Sequence, residues 1–250
     1  MSGHSKWSKI KRKKAEEDKR RGKLFSKLIK EITVAARLGG GDPEANPRLS
    51  QAIEDAHNAN MPKDNIEKAI LRGTGELPGV DYEDMSYEGY GPNGTALFIE
   101  CTTDNKNRTV SEIRHLLDKH GGSLGESGSV RWVFDRKGVI YLPKEGLTED
   151  DILLVALEHG AEEINEEDDV YEVICPKEEF HNLKTGLEDA GFEIEDSELQ
   201  QIPKTTMNVT GSDAKKLLRL LEALDDHDDV QNVWSNADID AATMAELEAS

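Results

Sequence analysis

Cysteine is nearly missing from this chain, with two residues in 250, at positions 101 and 175. There is no Cys-x-x-Cys pair and no histidine at zinc spacing beside either one, which leaves nothing from which to build a disulfide framework, a metal ribbon or a redox motif. Both thiols sit in apolar, strand-like segments, the ordinary place for a buried reduced cysteine. Long hydrophobic runs are missing too: none approaches the roughly twenty residues that a membrane span needs. The amino terminus lacks the unbroken apolar stretch of a signal peptide, since Phe25, Leu28 and Ile29 recur at helical spacing after the lysines and arginines. A cytoplasmic protein without membrane contact is expected. Aromatic residues make up only 5% and hydrophobic ones 36%, which points to modest cores, and a length of 250 residues suits two or three small domains better than one large one. Basic residues are scarce over most of the length, with 14 Lys or Arg against 41 acids from Gly73 to Ser250.

The first thirty residues reverse that sign. They hold twelve Lys or Arg and three acids, a local net of +9 inside a chain whose formal net charge is −20. Lys9, Lys11, Arg12, Lys13 and Lys14, followed by Lys19, Arg20, Arg21 and Lys23, have the composition that neutralises phosphates and releases their counterions. The ordinary reading of a charge run is a solvated face. Two features favour a polyanion-binding arm. Trp7 lies among Ser5, Lys6, Ser8 and Lys9, where an indole can stack on a base, although it can equally pack on its own domain. The acidic remainder repels nucleic acid everywhere else and so confines contact to one end. That acidity also fits adaptation to high salt, which would screen the same attraction.

The periodicity predicts a helix through Phe25, Leu28, Ile29, Ile32, Ala35 and Ala36, ending at Gly39-Gly40-Gly41. A second follows, with Asn46 as N-cap and Pro47 at its first position, and a third runs from after Pro62 to Gly73. Residues 1–78 therefore read as a basic arm and a helical bundle. From Thr74 to Gly91 the periodicity lapses, as in a linker. Thr95 to Thr103 reads as strand, Thr109 to His120 as helix with Thr109 and Glu112 in a capping box, and Ser129 to Phe134 as strand. Next come Val139 to Leu142 as strand, Thr148 to His159 as helix, Ala161 to Ile164 and Val170 to Cys175 as strands, Glu178 to Ala190 as helix and Phe192 to Glu195 as strand. This β-α-β-β-α-β order is that of a ferredoxin-like sandwich. Thr206 to Thr210, Ser212 to Leu224 and Val230 to Trp234 supply a last β-α-β unit. The expected fold is α+β: a three-helix domain, then a ferredoxin-like α/β sandwich split between residues 79–136 and 202–250, with a second ferredoxin-like domain, 137–201, inserted in it.

Several polar clusters suggest chemistry without completing a motif. The loop from Asp104 to Arg108 lies between strand and helix, where sites are often built, and also where a helix must be capped. Asp225 to Asp229 and Glu166 to Asp169 offer oxygen ligands without the spacing or central glycine of a calcium loop, and solvated loops explain both. Gly121 to Gly128 lacks the Lys-Ser/Thr of a P-loop and follows a helix, so a C-cap and a flexible connection are expected. Arg131, Trp132 and Phe134 alternate as on a base-stacking strand, but half of any such alternation faces the core. No catalytic residue, cofactor or metal ligand is assigned.

The segments Gly3-His4-Ser5-Lys6-Trp7, Lys11 to Lys14, Lys19 to Lys23, Gly39 to Pro43, Asn46-Pro47-Arg48-Leu49, Asn60 to Ile66, Tyr87 to Pro92, Thr103-Asp104-Asn105, Asn107-Arg108-Thr109 and Gly128-Ser129-Val130 resemble the YebC family of bacterial proteins. Its mitochondrial relatives include the translational activator of cytochrome c oxidase. The resemblance runs nearly the full length and implies a helical amino-terminal domain and two mixed domains. It also implies DNA-binding transcriptional regulation or, as in other members, action at the ribosome during translation of proline-rich stretches. Carried over onto matching positions, the nucleic-acid residues are Lys6, Trp7, Lys9, Lys11, Arg12, Lys13, Lys14, Arg20, Arg21 and Lys23. The expected partner is DNA or ribosomal RNA, in the company of RNA polymerase or the ribosome, with the oligomeric state open. A reading of another class stays beside these: an acidic adaptor whose mixed domains bind a basic protein.

Overall fold

A computed structural model describes residues 18–167 and 169–239, with side chains described from residue 22 onward. The first helix, α1 (Asp18–Gly39), carries the apolar stripe read from the sequence, and Leu28, Ile32, Ala35 and Ala36 are buried on it. It packs against α2 (Pro47–Asn58) and α3 (Lys63–Gly73), which contribute Leu49, Ala52, Ala56, Ile66 and Ala69 to the same core. Asn46 caps α2 as expected: its Oδ1 accepts the Leu49 N–H at 3.2 Å, and its amide donates to the carbonyls of Ala35 and Gly40 at 2.8 and 2.9 Å. Gly73 closes the bundle. A Cβ there would stand 2.4 Å from the Thr33 carbonyl oxygen, so only glycine allows this approach of α3 to α1.

The stretch expected to be a linker contains a strand, β1 (Glu83–Tyr90), which pairs antiparallel with β2 (Ala96–Thr103) along its full length. Its sequence, EDMSYEGY, hides it, because acids and a glycine occupy an edge-proximal strand whose first four residues are mostly exposed. Helix α4 (Lys106–Lys119) starts three residues earlier than expected and is capped by Asn105, whose side chain accepts the Arg108 N–H at 3.1 Å; no Thr109–Glu112 box forms. Gly121, at φ +80°, turns the chain into the two-residue strand β3 (Ser123–Leu124). The strand expected from Ser129 to Phe134 does not form. Arg131–Val133 is a single 3-10 turn instead, because the backbone N–H groups of Gly128, Val130 and Arg131 are taken by the Glu88 carboxylate and not by a neighbouring strand.

Val133–Lys204 is one compact unit, and the described residues on either side of it in sequence form the other. Within Val133–Lys204 the chain runs β4 (Phe134–Pro143), α5 (Glu149–Glu158), β5 (Glu163–Glu166), β6 (Val170–Pro176), α6 (Phe180–Asp189) and β7 (Asp196–Pro203). The strands form an antiparallel sheet ordered β5-β6-β4-β7, the ferredoxin-like order. The last strand lies one segment later than Phe192 to Glu195, since Phe192 and Ile194 are spent packing on the core as the chain returns to the sheet.

The other unit continues with β8 (Met207–Val209), α7 (Gly211–Asp225), β9 (Val230–Ser235) and β10 (Ala237–Ile239). Its main sheet is ordered β3-β1-β2-β9 and is antiparallel throughout, so β1, met first in the chain, fills the slot that the third strand holds in a regular ferredoxin-like order. The strand expected from Thr206 to Thr210 leaves this sheet and pairs in parallel with β10. Leu97, Ile99, Ile113, Leu117, Leu217 and Leu221 form the core between sheet and helices. No helix among the described residues is long and apolar enough to cross a membrane.

Candidate functional site

Helix α1 leaves the basic arm and runs along the loop between α7 and β9, the acidic run from Asp225 to Asp229. Lys23, Lys27 and Lys30 recur at steps of four and three, so they share one face of α1. Lys23 Nζ donates to the Asp226 carbonyl at 2.9 Å and stands 3.6 Å from its carboxylate. Lys27 Nζ donates to the Asp225 carbonyl at 2.7 Å, and Lys30 Nζ to the Asp228 carbonyl at 2.7 Å and to Asp229 Oδ1 at 2.8 Å. The loop end of α7 presents backbone carbonyls and the negative end of a helix dipole, a natural seat for ammonium groups.

Asp229 is the centre of this arrangement, its side chain only 4% exposed. Its Oδ2 accepts from Arg108 Nη2 at 2.7 Å, Thr109 Oγ1 at 2.8 Å and Thr103 Oγ1 at 3.1 Å, while Oδ1 takes Lys30. Burial alone would push its carboxyl up, but Arg108, Lys30 and Thr109 outweigh that and hold it well below the usual carboxylate range. The same contact holds the Arg108 guanidinium above its ordinary pKa, through Asp229 first and Asp104 second. One carboxylate thus ties together α1, the Thr103-to-Arg108 loop and the turn before β9. The acidic run is not the solvated loop that its composition suggests, and the polar loop does more than cap α4. Arg48 makes a second bridge: Nε and Nη2 grip Glu31 at 2.6 and 2.9 Å, and Nη2 reaches Asp84 of β1 at 2.8 Å.

Above Asp229 lies an open groove of about 1230 Å³, with Lys23, Arg108, Glu112, His115 and His227 among its walls. Glu112, His227 and Asp229 bring ligand-type atoms within 4.8 Å of one another. Their hydrogen bonds speak for structure. The Asp229 N–H donates to His227 Nδ1 at 3.1 Å, which leaves Nε2 as the protonated nitrogen facing Glu112 at 2.9 Å, and both Asp229 oxygens are already met by cations and hydroxyls. Both thiols are buried, and that burial pushes Cys101 up to about 12 and Cys175 up to about 11.

Of the residues expected to touch nucleic acid, Lys6, Trp7, Lys9, Lys11, Arg12, Lys13 and Lys14 lie outside the described residues, and Arg20 and Arg21 lie in α1 with side chains outside them. Lys23 is described, half-exposed, and engaged with Asp226. Trp132 is 69% exposed and donates its indole N–H to the Ser129 carbonyl at 3.0 Å, whereas Phe134 is buried. The role of Asp229 was beyond reach of sequence reading, since its partners lie 120 or more residues away. The one available signal was a run of lysines at helical spacing in a chain that also holds a compact acidic run.

Residues 5–76 match a model described as the TACO1/YebC protein N-terminal domain, and residues 82–237 match one described as the TACO1/YebC second and third domain. A protein of Desulfatibacillum aliphaticivorans named probable transcriptional regulatory protein is 56% identical over 239 residues, covering 96% of this chain and 97% of its own. One of the same name from Thermosipho melanesiensis is 55% identical over 250 residues, covering 100% of this chain and 98% of its own. The crystal structure of a conserved hypothetical protein from Aquifex aeolicus superposes with a TM-score of 0.82 at 48% identity, over 89% of this chain and 92% of that one. With both family models matched in order and relatives similar from end to end, the chain belongs to the TACO1/YebC family, whose relatives here carry the name of transcriptional regulators.

Proposed function

We propose that this protein is a non-enzymatic, cytoplasmic regulator of gene expression that binds nucleic acid through the basic segment leading into α1, with duplex DNA in transcriptional control as the first reading. The charge reversal carries the proposal: a net of +9 in the first thirty residues of a chain with a net of −20. The geometry of α1 supports it. Lys23, Lys27 and Lys30 are held by the 225–229 loop, so they fix the helix, and the cations of the first thirty residues that remain for a polyanion lie upstream of Lys23. The acidic body turns the same polymer away.

A second reading, structured RNA on the ribosome, is favoured by one observation. The exposed side of α3 mixes Lys63, Lys68 and Arg72 with Asp64 and Glu67, and Lys63 pairs with Glu67 at 3.6 Å. That is no row of base-reading donors for a major groove. Recognition by shape and phosphate geometry suits it better. Cross-linking in intact cells followed by sequencing of the attached nucleic acid separates the two. Promoter DNA supports transcription and ribosomal RNA supports translation; recovery of neither above background would overturn both.

A further inference from the structure

Helix α5 is apolar on both faces. Ile152 and Ala156 are buried in the core of the Val133–Lys204 unit, as an amphipathic helix requires. The opposite face, which should be polar, carries Leu153, Leu154 and Leu157, exposed by 38%, 68% and 59%. These three are adjacent at helical spacing and make a continuous ridge. Asp150 flanks it at one end and Glu158 at the other, both exposed. Helix stability explains Asp150, an acid in the first turn, but neither the leucines nor Glu158. Leu154 and Leu157 leave most of their apolar surface in water and add little to the fold, and an acid in the last turn opposes the helix dipole. The unit as a whole carries 21 acids against 6 Lys or Arg.

We infer that the Leu153–Leu154–Leu157 ridge of α5 is a docking surface for a basic amphipathic helix of a partner protein, which sets an apolar stripe on the leucines and lysines or arginines against Asp150 and Glu158. Charge decides among occupants. A second copy docked ridge to ridge would set acid against acid across two strongly anionic units, and an anionic membrane surface would be repelled likewise. A basic helix gains at every flank, and exposed apolar patches rimmed by polar residues mark protein interaction sites. The inference is independent of nucleic-acid binding by the arm, since it concerns another unit and other residues.

The test uses the full-length protein and a synthetic peptide whose leucines recur at helical spacing between lysines, with a scrambled isomer of the same composition as control. Fluorescence anisotropy at low and moderate salt is expected to show the amphipathic peptide bound more tightly than the scrambled one. Leu154→Ser with Leu157→Ser should weaken the amphipathic peptide roughly tenfold or more and leave the scrambled one unchanged. Asp150→Asn with Glu158→Gln should flatten the salt dependence while keeping the preference, and serves as the second variant should the serine pair disturb the fold by circular dichroism. Equal affinity for the two peptides, or no loss in the serine variant, would overturn the inference. So would a dimer in sedimentation that the serine variant dissolves, since the occupant would then be a second copy.

Discussion

Replacing Asp229 by Asn removes one negative charge from a side chain that is 4% exposed and keeps its shape. The amide then turns two hydrogens toward groups that already donate: Lys30, Arg108, Thr109 and Thr103. Removing one partner of a buried ion pair costs about 3–5 kcal/mol when the other charge is left stranded. Here the Arg108 side chain is 42% exposed and rehydrates, while Lys30 at 12% does so poorly, which brings the expected loss to about 2–3 kcal/mol near neutral pH. Equilibrium unfolding in urea, followed by tryptophan fluorescence, reads it, since Trp132 and buried Trp234 belong to the same unit as Asp229. The carboxyl titrates lower in the folded protein than in the unfolded chain. Its contribution is therefore whole above the unfolded value of about 3.9 and is lost as the pH falls through the folded pKa. The gap between wild type and variant should stay level from about pH 8 to about pH 5 and narrow below about pH 4. A loss below about 0.5 kcal/mol at pH 7, the size of an ordinary surface change, or a gap that widens on acidification, would refute the hub.

Glu88→Gln should cost about 1–3 kcal/mol, because the buried carboxylate accepts three backbone N–H groups, those of Gly128, Val130 and Arg131. Hydrogen exchange at those amides should accelerate, and unchanged protection would show that the loop holds without it. Cys101 and Cys175, buried and with thiols pushed up, should resist a thiol reagent at pH 8 in the native protein and react on unfolding; rapid native labelling of either would contradict the burial. Lys23→Gln should lower nucleic-acid affinity less than Lys13→Gln, since Lys23 is already held by Asp226; the reverse order in a filter-binding titration would place the phosphate contact at Lys23 and not ahead of it.

The helical domain was legible because its signals are local: the stripe on α1 and Asn46 with Pro47 each act within a turn or two of chain. The inserted sandwich was legible for a similar reason, since β6 is apolar at every position but Glu172 and its helices follow the strands in the β-α-β-β-α-β order. β1 was not, because its pairing with β2 makes a strand of a segment whose own composition reads as loop. The 131–133 turn was not, because what prevents a strand there is a carboxylate about forty residues upstream. The acidic run misled for the same reason. In isolation it is a solvated loop, and only the fold brings α1 against it, with Lys30 and Asp229 separated by 199 positions.

The central claim is that phosphate contact belongs to the cations ahead of Lys23, and the salt dependence of binding tests it most directly. Affinity for a duplex DNA and for a structured RNA should be measured across a salt series, for the wild type and for a variant with Lys11, Arg12, Lys13 and Lys14 changed to glutamine. The predicted result is weaker binding to whichever polymer is bound, with a log–log salt slope shallower by roughly three to four for duplex DNA. An unchanged slope and affinity would contradict the claim.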